Sequence, residues 1–309
     1  MPAELRDAVE PRVRDRIVVL GRRSAGKTVF LSRLYGMLWQ AQGDLRMSAV
    51  DGPTHMRLIE DLDTMSRKRW PASTEGLSSY AIDITYRGST VLLITPDYSG
   101  EIFRQAFMLG QDNPLVRDLL SNIDRAAALI VLLDPGVALD GGMVERADQE
   151  FGLTAVVKRI RDWPGGQDVP VALTVTKCDR YRSRIVREGG VVPFVKFHFR
   201  NLVDAARIDH GRVQVSAAAA VRSTTDGLGR EIPNLDRPPV GIVESLEYCL
   251  DSMADVQSSA AREDLLDRLG DKGSSGKGAP APRGRLVRLA MLLFTAAVVA
   301  GAVIWAFRR

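Results

Sequence analysis

A lysine and a threonine follow two glycines near the start of the chain, in a pattern that suits phosphate binding. Residues 16–28 read RIVVLGRRSAGKT, so that Gly21 and Gly26 bracket a loop ending at Lys27 and Thr28. Gly26 lets backbone N–H groups approach a polyphosphate that a side chain would exclude, and Lys27 can reach its terminal phosphates. The Thr28 hydroxyl can bind Mg²⁺ at the start of a helix, whose dipole also favours negative charge. The pattern predicts a phosphate-binding loop that comprises Gly21, Arg22, Arg23, Ser24, Ala25, Gly26, Lys27 and Thr28.

The sequence on both sides of this loop predicts the elements that would hold it. Residues 17–20 form a short apolar run typical of a buried strand. After the loop, apolar residues recur with the spacing of one helix face, at Val29, Phe30, Leu31, Leu34 and Leu38. A strand, a glycine loop and a helix in this order favour a ligand site over a simple glycine turn.

A second motif follows the predicted strand 91–94 and reads Asp97-Tyr-Ser-Gly100-Glu101. A D-x-x-G sequence is by itself a common turn. Here it indicates a candidate ligand-binding motif, because the strand before it should lie beside the phosphate loop. There, Asp97 can hold Mg²⁺ through water, and the Gly100 N–H can meet a terminal phosphate oxygen.

A third motif, Thr176-Lys177-Cys178-Asp179, follows the predicted strand 169–176. The Asp179 carboxylate can accept from two adjacent N–H groups of guanine, which adenine does not offer, and the Lys177 stem can lie over the base. Small residues follow the next predicted strand, 212–215. Such runs usually serve packing, but here their backbone N–H groups can close a base pocket at Ser216, Ala217 and Ala218.

Strands and helices alternate along the chain and predict a three-layer α/β sheet. Residues 80–86 alternate with a period of two, which is typical of a strand buried on one face near a sheet edge, and residues 91–94 follow after a tight turn. We therefore expect a mostly parallel sheet with one antiparallel edge strand. In such sheets ligands gather at the carboxyl ends of the strands, where all of these motifs lie.

Composition restricts the class of protein. With 309 residues, 45% of them hydrophobic and 26% charged, the chain is an ordinary globular protein. Only two cysteines are present, which favours a reducing compartment over a disulfide framework. The net charge of +4 comes from residues 271–309, where seven Lys and Arg face one Asp. The remaining body is slightly acidic, which argues against a nucleic-acid partner.

Residues 289–307, LAMLLFTAAVVAGAVIWAF, contain no charge and are long enough to cross a bilayer as a helix. Arginines flank this run on both sides, and Trp305 lies near one end, as at a membrane interface. A buried core helix is the alternative, but a Gly/Ser/Pro-rich stretch precedes the run and no domain follows it. We expect a single-pass membrane anchor, with the rest of the chain on the cytoplasmic side, where nucleoside triphosphates are found.

Taken together, the four motifs resemble those of the Ras-like (TRAFAC-type) P-loop GTPases, and the length, long loops and tail anchor resemble the bacterial double-GTPase kind. The resemblance implies GTP or GDP with Mg²⁺ as cofactors, guanine selection by Thr176, Lys177 and Asp179, and catalysis by Lys27, Gly100 and Glu101. It also implies a switch-loop threonine that ligates Mg²⁺, for which Thr74 is favoured and Ser73 and Thr64 are alternatives. The metal ligands implied are Thr28, Thr74 and Asp97.

The predicted organisation of the chain has four parts. They are an N-terminal tail at 1–14, a P-loop GTPase domain at 15–257, a flexible linker at 258–285 and a transmembrane helix at 286–307.

Two departures from the Ras-like pattern bear on mechanism. Glu101 stands where Ras-type members commonly carry a glutamine that orients water. Arg22 and Arg23 occupy positions often filled by small residues; either can stabilise charge, obstruct the reaction or point to solvent. We expect a membrane-tethered guanine-nucleotide switch with slow intrinsic hydrolysis and a regulatory partner protein. The alternatives are a non-hydrolysing GTP-bound scaffold and an ATPase or nucleotide kinase.

Overall fold

In the computed structural model, the chain is described for residues 14–22, 24–72, 79–95, 102–103, 105–162, 165–209 and 212–271. The sheet and the helices packed on it belong to one compact unit that ends at Ser258.

A seven-stranded sheet forms the centre of this unit, in the order β2-β3-β4-β1-β5-β6-β7. Only β3 runs against the others, since it pairs antiparallel with both β2 and β4 while the remaining neighbours are parallel. The strands are β1 (Arg16–Gly21), β2 (Leu45–Ala49), β3 (Tyr80–Tyr86), β4 (Ser89–Thr95), β5 (Ala126–Leu133), β6 (Val171–Val175) and β7 (Val213–Ala217).

Nine α-helices occur within the described ranges. They are α1 (Lys27–Leu38), α2 (Gly52–Ser66), α3 (Pro114–Asp124), α4 (Pro135–Asp140), α5 (Met143–Arg161), α6 (Arg182–Arg187), α7 (Val191–His198), α8 (Arg200–Asp209) and α9 (Glu244–Asp271). A π-helical turn at Gln105–Leu109 takes up part of the predicted helix at 102–110.

Alternation along β1 divides the core into two layers, one on each face of the sheet. Ile17 and Val19 pack with α1 and α9 on one face. Val18 and Leu20 pack with α3, α5 and α8 on the other. All four side chains are at most 2% exposed. The predicted three-layer architecture is therefore confirmed.

The predicted antiparallel strand is confirmed as β3, but β2 lies outside it and forms the sheet edge. Strand β2 has no clear signal in the sequence, because its alternation spans only five residues. A second difference concerns residues 222–239, whose polar, proline-containing sequence is typical of a loop. They contain a hairpin of two short antiparallel strands, β8 (Arg222–Thr225) and β9 (Glu231–Asn234).

The predicted boundary at 257 does not coincide with the end of a helix. The final helix, α9, continues to Asp271, so residues 258–271 are helical where a flexible linker was predicted. None of the helices in the described part of the chain has the length and hydropathy needed to span a membrane. The predicted anchor at 286–307 and the rest of the linker lie outside the described residues.

Candidate functional site

The phosphate loop joins β1 to α1 at the carboxyl edge of the sheet. Gly21 has little room for a side chain, because a Cβ there would lie 3.1 Å from both the Ala25 Cβ and the Leu132 carbonyl oxygen and would push these neighbours away. Gly26 precedes α1 with a left-handed φ of 83°, and no side chain caps this helix. Its first N–H groups are thus left for a ligand rather than for a capping side chain, which suits an anion.

Lys27 folds back across this loop. Its Nζ donates to the Gly21 carbonyl at 2.9 Å and to the Arg22 carbonyl at 3.3 Å, so the ammonium group lies over the concave side of the loop. Thr28 follows in the first turn of α1 and is partly buried. No hydrogen bond within the described residues uses its hydroxyl, which suits the expected Mg²⁺ ligand.

Arg22 is held by α5 instead of pointing to solvent. Its guanidinium donates to the Glu145 carbonyl at 3.0 Å and pairs with the Asp148 carboxylate at 2.6 Å. The pairing neutralises Arg22 and ties the phosphate loop to the start of α5. Arg23 lies outside the described residues.

Thr176 connects the guanine motif to the phosphate loop. Its hydroxyl lies 2.9 Å from the Ala25 carbonyl and 3.1 Å from the Leu133 carbonyl, and can donate to either. The Thr176 N–H also donates to the Leu133 carbonyl at 2.9 Å. Because Thr176 is only 5% exposed, water competes little for these bonds. The structure therefore makes Thr176 a residue that positions two loops, rather than a direct contact with the base.

Lys177 is oriented by an acidic residue that the sequence analysis did not single out. Lys177 has a left-handed φ of 52°, and its Nζ lies 2.8 Å from the Asp134 carboxylate. Asp134 follows β5, is 3% exposed and caps α4 by accepting from the Gly136 N–H at 2.8 Å. The available signal was its position at a strand end before proline, which is typical of a helix N-cap.

Asp179 is partly exposed two residues beyond Lys177. Within the described part of the chain, no hydrogen bond or ion pair engages its carboxylate, so both oxygens are available to a base. Burial, with a smaller contribution from the Asp179 charge, raises the pKa of the adjacent Cys178 thiol. Cys178 therefore stays protonated near neutral pH and is not a reactive thiolate.

The small residues at the end of β7 divide between the interior and the predicted base pocket. The Ser216 hydroxyl contacts those of Thr174 at 3.2 Å and Ser245 at 3.0 Å, and so belongs to the interior. The Ala218 N–H donates to the Val175 carbonyl at 2.7 Å. Because alternate residues of a parallel strand bond to its neighbour, the Ala217 N–H points away from β6. Of the three residues predicted to bind the base, Ala217 is the one whose N–H can do so.

Tyr80 and Thr95 are the strand ends beside the predicted switch-loop threonine and the Asp97–Glu101 motif in the sequence. They are opposite each other at the start of β3 and the end of β4, and β4 pairs in parallel with β1. Ser73, Thr74, Asp97, Gly100 and Glu101 themselves lie outside the described residues. The alternative threonine, Thr64, lies within helix α2 rather than in a loop.

A half-buried acidic group holds the start of β3 against two helices. The Asp61 carboxylate of α2 accepts from the Ser32 hydroxyl of α1 and from the Tyr80 hydroxyl, both at 3.1 Å. Burial raises the pKa of both Asp61 and Tyr80. Ser32 lies one helical turn after Thr28, so this cluster links the phosphate-loop helix to the strand that follows residues 73–78.

Solved structures resemble the chain at low sequence identity. They include a nucleolar GTP-binding protein 1 from Plasmodium falciparum, with 10% identity and a TM-score of 0.46 over 86% of this chain and 98% of that one. A small COPII coat GTPase from Encephalitozoon cuniculi, solved with GDP, shows 9% identity and a TM-score of 0.41 over 81% and 84%. A bacterial selenocysteine-specific elongation factor shows 12% identity and a TM-score of 0.34 over 66% and 26%.

No protein of curated function matches the sequence significantly. Residues 18–154 match the model of the family described as Double-GTPase 1. The matched segment runs from the phosphate loop through Asp134 into α5. GTP or GDP with Mg²⁺ are the cofactors of a GTPase domain, in agreement with the sequence prediction. With the phosphate loop and the Thr176–Asp179 loop at one edge of the sheet, this match supports a GTP-binding P-loop GTPase domain.

Proposed function

We propose that this protein is a membrane-tethered guanine-nucleotide switch that binds GTP with Mg²⁺ and hydrolyses it slowly to GDP. The observation that carries the proposal is the hydrogen bond between the Thr176 hydroxyl and the Ala25 carbonyl. It joins the loop suited to guanine to the loop suited to phosphates, so that one nucleotide can span both.

The described residues divide the binding of this nucleotide between them. Lys27 and the first N–H groups of α1 take the phosphates, and Lys177 and Asp179 take the base. The Thr28 hydroxyl would hold Mg²⁺ together with Asp97 and Thr74. When bound, Mg²⁺ neutralises phosphate charge during transfer. Gly100 and Glu101 remain the proposed contacts to the terminal phosphate and the attacking water.

Hydrolysis by the protein alone should be slow. Glu101 replaces the amide that orients water in Ras-type enzymes, and Arg22 is neutralised by Asp148 instead of being free to stabilise the transition state. We expect a single-turnover rate on the order of 10⁻⁴ to 10⁻³ s⁻¹ with purified protein and GTP. Glu101→Gln should raise the rate. A rate of about 1 s⁻¹ for the unmodified protein without any partner would contradict the proposal.

Tethering rests on the composition of residues 289–307. In a flotation assay, the full chain reconstituted with phospholipid vesicles should float with them and resist extraction by high salt and alkali. A chain ending at residue 271 should stay at the bottom of the gradient. Residues 272–288 contain five basic residues, so a chain ending at 288 is the matched control for electrostatic adsorption. If it floats as well as the full chain and resists extraction equally, a spanning helix is not the anchor.

The alternative is a scaffold in which bound GTP is structural and turnover has no role. Both proposals require bound guanine nucleotide, so the nucleotide that copurifies with the protein tests them together. We expect GTP or GDP to copurify with the unmodified protein and neither to copurify with Lys27→Ala. The two functions then separate in a binding assay with a captured partner protein. A switch binds differently in the GTP and GDP states, whereas a scaffold binds equally in both.

A further inference from the structure

The β8–β9 hairpin follows the predicted base-pocket residues 216–218 in the chain. Its strands pair from Arg222 opposite Asn234 to Thr225 opposite Glu231. At the tip, the Asp226 carboxylate accepts from the Leu228 N–H at 2.9 Å and from the Arg230 N–H at 2.8 Å. The turn is therefore closed by its own hydrogen bonds. Together with the strand pairing, these bonds fix the tip of the hairpin relative to its base.

The base of the hairpin is fixed beside the guanine loop. The backbone N–H of Ala219 donates to the Val240 carbonyl at 2.8 Å, and the Val240 N–H donates to the Ala219 carbonyl at 3.0 Å. This bridge joins the two ends of the segment that contains the hairpin. Next to this bridge, the Ala218 carbonyl accepts from the Cys178 N–H at 3.2 Å. The Ala220 carbonyl accepts from Arg33 of α1 at 3.2 Å. The hairpin thus starts from backbone already bound to the guanine loop and the phosphate-loop helix.

Near the tip, Glu231 makes two contacts that join separate parts of the site. Its carboxylate pairs with Arg180, the residue after Asp179, at 2.8 Å. Its backbone carbonyl accepts from the Trp70 indole N–H at 3.0 Å. Trp70 follows α2 and precedes residues 73–78, which contain the proposed switch threonine, by three positions. Glu231 therefore contacts both the residue after Asp179 and a residue shortly before the segment 73–78.

We propose that Glu231 is a positioning residue of the guanine site: by holding Arg180 and Trp70 together, it keeps the Lys177–Asp179 loop closed on the base and slows nucleotide release. The inference rests on the proposed function, because it assumes a guanine base beside Asp179. Its physical reason is that Arg180 directly follows Asp179, so that holding Arg180 restricts the motion of the residue proposed to bind the base. The hydrogen bond from the Trp70 indole anchors the Glu231 backbone to a residue outside the Lys177–Asp179 loop.

The expected effects are limited by solvent. The side chains of Arg180 and Glu231 are 52% and 40% exposed, so their ion pair is partly screened. For Glu231→Gln, which keeps the carbonyl bonded to Trp70, we expect release of a fluorescent GDP analogue about two- to fivefold faster. Glu231→Arg should accelerate it further because it places two cations together. Combining Glu231→Arg with Arg180→Glu should return the release rate to within about twofold of the original.

The experiment measures GDP-analogue release by stopped flow, and thermal unfolding in parallel, on the full chain in detergent. Arg67→Ala is the matched control, since it removes an exposed ion pair with Asp63 on α2 and leaves the hairpin untouched. Faster release without a lower unfolding temperature, and recovery in the exchanged pair, support the positioning role. Equal release rates for the original and Glu231→Arg proteins would overturn it. If the unmodified protein binds no guanine nucleotide at all, the proposed function fails as well.

Discussion

Replacing Asp179 with asparagine should change which base the protein accepts. The Asp179 carboxylate can receive two N–H groups from guanine, and it is partly exposed beside Lys177. Asparagine loses one acceptor and the negative charge, and its amide N–H meets the guanine amino group donor to donor. A charge-assisted bidentate contact is worth about 3 kcal/mol, which corresponds to about a hundredfold weaker GDP binding. Equilibrium titration with a fluorescent GDP analogue measures this change.

The same substitution should favour xanthine nucleotides. Xanthine carries a carbonyl where guanine carries the amino group, so the asparagine amide can donate to it while its oxygen still accepts from the ring N–H. Xanthosine diphosphate should therefore bind Asp179→Asn better than GDP does. Asp179→Ala, which offers neither group, is the control and should show no preference between the two. An unchanged preference for GDP in both variants would show that Asp179 does not recognise the base. Equal binding of ATP and GTP by the unmodified protein would favour the ATPase alternative.

Replacing Asp134 should produce the largest loss of stability within the site. This buried carboxylate caps α4 and pairs with the Lys177 ammonium group. Asp134→Ala removes both contacts and leaves the Gly136 N–H without its acceptor. A lost cap costs about 1 kcal/mol and a lost charge-assisted hydrogen bond about 1.5 kcal/mol, so the free energy of unfolding should fall by about 2–3 kcal/mol. Urea denaturation measures it.

Asp134→Asn separates the two contacts, since asparagine caps helices as well as aspartate does but does not pair with a cation. We expect it to keep about 1 kcal/mol of the stability that alanine loses. Both variants should bind GDP more weakly, because the Lys177 ammonium group loses the carboxylate that holds its side chain. Asp63→Ala, which breaks an exposed pair with Arg67, is the matched control and should leave stability unchanged. If Asp134→Ala unfolds at the same urea concentration as the original, the pair has no structural role.

Much of the fold could be predicted because its signals are local. The run AAALIVLL at 126–133 is apolar throughout and bounded by charged residues, a pattern that predicts a buried strand, and β5 has the same limits, Ala126–Leu133. Strand β2 could not be predicted with the same ease, because five residues of mixed polarity become a strand only through pairing with β3. The β8–β9 hairpin escaped prediction for a similar reason: its strands have four residues each, and their pairing depends on the Ala219–Val240 bridge.

The sequence by itself predicted the chemistry of the site and the GTP-binding domain, because the phosphate loop and the Thr176–Asp179 motif depend on residue types at fixed local spacing. Only the tertiary structure decided how those motifs are held. It placed Asp134 under Lys177, tied Arg22 to Asp148 and linked Thr176 to Ala25. These contacts join residues that are 43 to 151 positions apart in the chain. Local spacing does not encode such pairs; they exist because parallel strands bring their carboxyl ends to one edge of the sheet.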